Sequence, residues 1–468
     1  MEQPSKETGI TPITDSKSLT VKNVVTVFLS YHGRILVLRR SNRVGSYRGR
    51  WAGISGYIER NEAPLERALK EIAEETNLDS NAVSLTKIGQ PLPALDEDIV
   101  TLFVVHPFLF STKDPKINLD REHDAFRWIR SKDLRRFETV PKLEEALDRV
   151  LGDTSILHSL HPVVAAKSAE IREDRVHGAS ELSRQSLNAM RLLAELTSAT
   201  NSEGLLAELR VFGRDLMNSR PSMAPLTNLV GRLLYLIEAK TKNGSNVEEL
   251  KQMVVSRCQE LFEESEKAVH EIALRASNLI QDGMTVFTHS RSATVYEAFK
   301  VAVNAGARIR VIVTESRPLF EGRATAQELS GLGIPVTLAV DAATGHLMGG
   351  ADLCIVGADS VLSDGTVVNK IGTFPLAMSA REHGKSFCVL CEKSKFNLRS
   401  MLQAQHETEE MDPSEVLPYL PQALLTVRNP YFDRTPSRFV SKLITEDGEL
   451  SFEELPRIFR KMLAETYM

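Results

Sequence analysis

The chain has little of what would tie it to a membrane, to a disulfide scaffold or to nucleic acid. Four cysteines in 468 residues are too few to staple a fold of this length, so a reducing compartment is expected. No stretch approaches the roughly 18 consecutive apolar residues of a membrane span. The opening Met-Glu-Gln-Pro-Ser-Lys-Glu-Thr has no charged region followed by an apolar run, and a cytoplasmic location is the expectation. Lys plus Arg number 57 against 62 Asp plus Glu, a formal net charge of -5, and no basic tract stands out. That balance argues against direct binding of nucleic acid by bulk electrostatics. Cys388 and Cys391 form a Cys-x-x-Cys, but they sit in the apolar run Ser-Phe-Cys-Val-Leu-Cys-Glu, which predicts a buried strand, and no second pair completes a zinc site.

What is present is an ordinary globular composition, 42% apolar and 25% charged, in a chain too long for one hydrophobic core; two or three domains are expected. Residues 1–20 are polar and aperiodic and predict a mobile tail. Residues 21–151 alternate strands with an inserted helix. Val24 to Ser30 and Arg34 to Leu38 make a hairpin around Tyr31-His32-Gly33, a helix runs from about Ala63 to Thr76, a long strand spans Ile99 to Phe110, and a last helix Pro141 to Leu151. This predicts an α+β sandwich. A polar, weakly helical stretch over 152–174 is assigned as a linker, and 175–277 as a helical subdomain. Over 278–468, apolar runs at Val286, Ile309 to Val313, Val336 to Val340, Leu353 to Val356 and Phe387 to Leu390 alternate with helical stretches, the pattern of a doubly wound, Rossmann-like parallel sheet.

Two stretches carry chemistry. Between Cys354 and Thr373 an apolar run ends in Gly357-Ala358-Asp359, a Ser-Asp-Gly turn reverses the chain, and Asn369-Lys370 precede a helix starting near Thr373. Ligands of open parallel sheets bind beyond the carboxyl ends of strands, and a helix amino terminus beside Gly372 favours an anion, so a phosphate next to a carboxylate is expected. A hairpin with solvated Asp and Lys is the alternative. In the amino-terminal half, Glu71, Glu74 and Glu75 cluster on one side of the first helix, opposite Leu65, Leu69, Ile72 and Thr76. Like charges at this spacing repel, and a hard divalent cation such as Mg²⁺ or Mn²⁺ would relieve them; a solvated acidic face is the alternative. Arg39 and Arg40 end a strand and are candidates for holding phosphate, with a surface pair as the alternative.

The spacing of Gly56, Glu62, Lys70, Glu71, Ile72, Glu74, Glu75, Asn77 and Leu78 resembles the Nudix box, in which Lys70 replaces an arginine and Asn77 a glycine. The resemblance implies that Glu71, Glu74 and Glu75 hold the metal and are catalytic, and that the substrate is a nucleoside diphosphate derivative. Lys70 gives up the planar fork that could hold a glutamate bidentately, whereas Asn suits the left-handed position after a helix.

From about Glu170 to Met468 the chain resembles a second family. Thr288-His289, Thr314-Glu315-Ser316-Arg317-Pro318, Asn369-Lys370-Ile371-Gly372-Thr373 and Asn429-Pro430-Tyr431-Phe432-Asp433-Arg434-Thr435-Pro436 are similar to motifs of the translation initiation factor 2B alpha, beta and delta subunits. That family also holds ribose-1,5-bisphosphate and methylthioribose-1-phosphate isomerases. The resemblance implies substrate contacts from Arg220, Ser290, Arg317, Asn369 and Lys370, proton transfer by Asp359, a sugar phosphate or nucleoside monophosphate as ligand, and a homo-oligomer through this half. Ser290 stands where the isomerases carry a cysteine, and His177 where they carry an arginine. An unassisted hydroxyl does not exchange protons near neutral pH as a thiol does. Three readings follow. The favoured one is a Nudix hydrolase with a binding platform; the alternatives are a sugar-phosphate isomerase and a non-catalytic translation initiation factor 2B-like subunit.

Overall fold

The computed structural model describes residues 20–59, 62–89, 91–96, 101–151, 154–175, 177–220, 223–241, 246–402, 410–417 and 425–467; the tail expected over 1–20 lies, but for Thr20, outside them. The chain divides into two compact units, 1–152 and 153–468.

The first unit is an eight-stranded sheet. Its strands are β1 (Thr20–Tyr31), β2 (Arg34–Arg40), β3 (Trp51–Ala52), β4 (Ile54–Tyr57), β5 (Val83–Ile88), β6 (Leu92–Asp96), β7 (Thr101–Thr112) and β8 (His123–Ile129), with helices α1 (Pro64–Thr76) and α2 (Leu143–Leu151). β1 and β2 form the expected antiparallel hairpin, and β1 pairs in parallel with β7 from Thr20 to Ser30. Because successive strand residues point to opposite faces, β1 feeds two cores. Val25, Val27 and Leu29 pack with Ile54 and with Ala68 and Ile72 of α1. Phe28 joins Leu143, Ala146, Leu147 and Val150 of α2. One helix therefore covers each face.

α1 begins with proline in its first turn, where the missing N–H costs nothing, and ends on Asn77 at φ 58°, the left-handed cap expected of that residue. Its buried stripe differs from the expected one. Ala68, Glu71, Ile72, Glu75 and Thr76 are buried, whereas Leu65 is 36% exposed. The helix is rotated toward its acidic side because the sheet meets it there with small residues of β4.

In the second unit, α3 (Thr154–Ser159) and α4 (Pro162–Glu173) occupy the stretch assigned as a linker. Leu160, Val164 and Ile171 are buried in the same core as the helices that follow, so this segment is part of the unit. Three apolar residues at helical spacing suffice to dock it, although its average composition is polar. α5 (Ala179–Leu196), α6 (Ser202–Ser219), α7 (Ala224–Thr241) and α8 (Val247–Ser277) complete the helical layer, and α8 opens with a capping box of Asn246 and Glu249.

The remainder contributes β9 (Thr285–Thr288), α9 (Ala293–Asn304), β10 (Arg310–Thr314), α10 (Glu321–Gly331), β11 (Val336–Ala339), α11 (Thr344–Met348), β12 (Leu353–Val356), β13 (Ser360–Val361), β14 (Val367–Lys370), α12 (Thr373–Glu382), β15 (Ser386–Leu390), β16 (Phe432–Thr435), β17 (Lys442–Thr445), β18 (Gly448–Leu450) and α13 (Leu455–Tyr467). Seven strands lie in the order β11-β10-β9-β12-β15-β17-β18, parallel except for the final hairpin. Chain order reverses between β9 and β12, a switch point of the kind at which open sheets bind ligands. β13, β14 and β16 form a small antiparallel sheet. Cys388 and Cys391 are buried and unpaired, as are Cys258 and Cys354; burial pushes the Cys388 thiol up to about 11. Among the described residues no helix is long and apolar enough to cross a membrane.

If α4 is an integral helix, Ile171→Ala should cost about 2–4 kcal/mol, while Glu170→Ala on its exposed face should stay within about 0.5 kcal/mol. Urea unfolding of the full chain measures both, and equal, negligible effects would restore the linker assignment.

Candidate active sites

In the first unit, the glutamates of α1 are arranged by β4. Gly56 is half-buried, and a Cβ built on it would fall 1.4 Å from Glu71 Oε1. Only glycine leaves room for that carboxylate. The Ser55 amide donates to Glu75 Oε1 at 3.1 Å. Glu75 Oε2 is buried and has no hydrogen-bond partner among the described residues. Burial pushes the Glu71 carboxyl up, against the opposing pull of Arg67, and pushes Glu75 well up. Glu74 stands apart, its side chain 60% exposed. The three carboxylates therefore do not form one exposed cluster, because α1 turns two of them into the sheet and leaves the third in water.

Lys70 keeps an ion pair despite replacing the arginine. Its Nζ lies 2.8 Å from Glu62 Oε1 and 3.0 Å from Glu66 Oε1, while the Glu59 amide donates to Glu62 Oε2. Arg67 pairs with Glu71 and lies 3.5 Å from Glu74. Its spacing, one helical turn before Glu71, was legible in the sequence; its role was not singled out there. His123 carried no such signal. It is 5% exposed, with Nδ1 3.0 Å from Asp120 Oδ1 and 3.7 Å from Glu75 Oε2, and only the pairing of β8 with β2 brings it in. Arg39 is a surface residue already paired with Asp124 at 2.6 Å, both side chains 44% exposed.

Among the described residues no group of three or more His, Cys, Asp or Glu side chains forms a ready-made metal site. The chemistry of the donors nevertheless suits a hard cation. Glu75 offers an unpartnered buried oxygen, and Glu71 is balanced by the Arg67 guanidinium, so both carboxylates sit where positive charge is needed.

In the second unit a cavity of about 380 Å³ opens at the switch point. Arg220, Ser290, Asp359, Asn369 and Lys370 all line it, together with His177 and Glu321. Arg220 is 4% exposed; its Nε donates to the Ile171 carbonyl at 3.2 Å and its guanidinium also reaches the Asp174 carbonyl. α4 thus holds this arginine in place. Lys370 Nζ lies 3.0 Å from Glu321 Oε1. Asn369 donates to Thr373 Oγ1 at 3.0 Å. His177 is fixed by Asp174 at 2.8 Å.

Two expectations are corrected. Arg317 does not line the cavity. Asp341 accepts from the amides of both Ser316 and Arg317 at 2.7 Å, and the exposed Arg317 side chain lies over the Phe320 ring, 4.8 Å from its centre. The amino terminus of α12 is also filled from within. The amides of Gly372 and Phe374 donate to Asp433 Oδ2 at 2.8 and 3.0 Å, and burial pushes this carboxyl up to about 6. Gly372 serves the backbone instead. It holds φ 105°, and a Cβ there would meet His289 at 2.9 Å.

Both halves of the chain are similar to known proteins. Residues 175–451 match the initiation factor 2 subunit family, and residues 19–150 match the Nudix domain. Ribose 1,5-bisphosphate isomerase of Pyrococcus furiosus is 35% identical over 285 residues, 60% of this chain and 87% of that protein. A putative translation initiation factor eIF-2B subunit 2-like protein of the same organism is 34% identical over 60% of this chain and 93% of its own length. The crystal structure of a translation initiation factor eIF-2B from Pyrococcus horikoshii OT3 superposes with a TM-score of 0.54 at 32% identity, covering 62% of this chain and 98% of that one. The chain therefore belongs to the initiation factor 2 subunit family through residues 175–451 and carries a Nudix domain over residues 19–150.

Proposed function

We propose that the amino-terminal unit is a Mg²⁺- or Mn²⁺-dependent Nudix hydrolase that cleaves the diphosphate bond of a nucleoside diphosphate derivative on an α+β sandwich. The observation that carries this is the seating of Glu71 against Gly56, beside the unpartnered oxygen of Glu75. Glu71 and Glu75, with Glu74 at the rim, would hold the metal, which when bound neutralises the diphosphate and activates water. The Ser55 amide orients Glu75, and Lys70 ties Glu62 back onto the helix. Arg67, which pairs with Glu71 here, would be free to meet a phosphate oxygen if a cation took its place.

The sign of the pH dependence follows from burial. Because the folded-state carboxyls of Glu71 and Glu75 are pushed up, their contribution to stability is present at low pH and lost as pH rises through those raised values. A metal binds the ionised form. The rise in melting temperature caused by Mg²⁺ should therefore grow as pH rises from the usual carboxylate range through the raised one, and a rise that shrinks with increasing pH would count against the site. Glu75→Gln should lower Mg²⁺-dependent hydrolysis by at least about 100-fold, judging by what single catalytic groups contribute, while thermal stability in the absence of metal holds or rises. Unchanged turnover would remove the Nudix assignment of function.

The carboxyl-terminal unit, on its Rossmann-like sheet, is proposed to bind a sugar phosphate or nucleoside monophosphate, with Arg220 and Lys370 attracting phosphate and Asp359 meeting the sugar. A second reading, sugar-phosphate isomerisation, is favoured by the convergence of these residues with Ser290 and Asn369 in one cavity and by the isomerase among the relatives. Ribose 1,5-bisphosphate should raise the melting temperature by mass action. Lys370→Ala should abolish that shift, whereas Arg317→Ala, outside the cavity, should leave it intact; the reverse pattern would relocate the phosphate site. We also propose a homo-oligomer through this half, in the cytoplasm. Sedimentation of the full chain at micromolar concentration should give a dimer or larger closed assembly, and a strict monomer would rule it out.

A further inference from the structure

One acid in the carboxyl-terminal cavity has no part in the roles given so far. Glu321 stands in the first turn of α10, after Phe320 at φ 59°, with its side chain 17% exposed. Oε1 holds Lys370 Nζ at 3.0 Å. Oε2 is buried and has no hydrogen-bond partner among the described residues. Lys370 is itself only 6% exposed and lies 4.4 Å from the centre of the Tyr431 ring. The ammonium assigned to phosphate is thus already neutralised, by an acid that keeps a spare oxygen in the same cavity as Asp359.

We propose that Glu321 is the second proton-transferring group of this cavity, working with Asp359 on a sugar 1-phosphate, and that the incoming phosphate replaces it as the counter-ion of Lys370. This rests on the sugar-phosphate reading above and extends it to isomerisation. Ser290 is an alcohol and holds its proton too tightly to serve near neutral pH. Burial raises a carboxyl, and it does push Glu321 up, against the pull of Lys370. Once phosphate takes over Lys370, that opposition weakens and Glu321 keeps its proton.

The step then balances. Asp359 removes the proton from C2 as the C1–C2 double bond forms and the ring C1–O bond breaks, while Glu321 gives its proton to the ring oxygen. Glu321 next takes the proton of the C2 hydroxyl as the C2 carbonyl forms, and Asp359 returns a proton to C1. Both carboxyls end as they began. The sugar has exchanged an acetal-type carbon for a ketone without oxidant or reductant.

The test uses the full chain and ribose 1,5-bisphosphate, with melting temperature and ketose formation in deuterated water, followed by NMR, as separate readouts. Wild type should show both a shift and turnover. Glu321→Gln should keep or enlarge the shift, because Lys370 is freed, and lose turnover by about 10²–10⁴-fold. Ser290→Ala, which removes a contact and not a general acid, should lose less turnover than Glu321→Gln. Glu321→Asp keeps the acid but withdraws it by one methylene; it should lose at least about tenfold in rate and covers the case in which Gln prevents folding. A Glu321→Gln or Glu321→Asp protein that turns over at the wild-type rate overturns the proposal. So does a wild-type shift without turnover or deuterium incorporation, which leaves the binding site standing. No shift in wild type overturns both.

Discussion

A carboxylate taken out of water must be met by a cation, a hydrogen-bond donor or a proton, and both units of this chain are built around carboxylates for which that condition is only partly met. Glu71 has Arg67 and Glu75 has one amide, yet burial still pushes both carboxyls up. Glu321 has Lys370 and is pushed up as well. Unmet electrostatic demand of this kind weakens the free protein. It is also what a metal ion or a phosphate-bearing ligand can satisfy, so the same constraint links stability to function.

The surrounding fold holds these charges in place by local means. Gly56 admits Glu71 by having no side chain. Around the second cavity, Ser290, Ser316 and Phe320 hold φ of 65°, 60° and 59°, left-handed values that side chains other than glycine adopt at some cost. Each is tied down: the Ser290 amide donates to Ser316 Oγ, the Ser316 amide to Asp341, and the Phe320 amide to the Ser316 carbonyl. The strained turn aims Ser290 and Glu321 inward and sends Arg317 outward. Asp433 meanwhile takes up the amino terminus of α12, so the positive charge facing this cavity comes from side chains such as Arg220 and Lys370.

Much of this was legible in the sequence. The Glu-rich helix, its Asn77 cap, the β1–β2 hairpin and the alternating strands and helices of the second unit are set by short-range periodicity and turn chemistry, which need no knowledge of distant contacts. The two family resemblances likewise rest on residues a few positions apart. Of the residues chosen for chemistry, Glu71 and Glu75 are brought against β4, and Arg220, Ser290, Asp359, Asn369 and Lys370 line one cavity.

What the sequence left open depends on contacts between distant segments. A helical wheel places Glu71, Glu74 and Glu75 together, but only the packing of α1 on β4 decides that Glu71 and Glu75 are buried and Glu74 is not. Polar composition suggested a linker where Val164 and Ile171 dock a helix, and that helix then fixes Arg220. His123 and Glu321 had no motif to mark them. Thus the sequence by itself determined which elements form and which residue types could do chemistry, because those follow from local spacing. The tertiary structure alone decided which charges lose their water and which partner each one meets, because desolvation is a property of the packed interior.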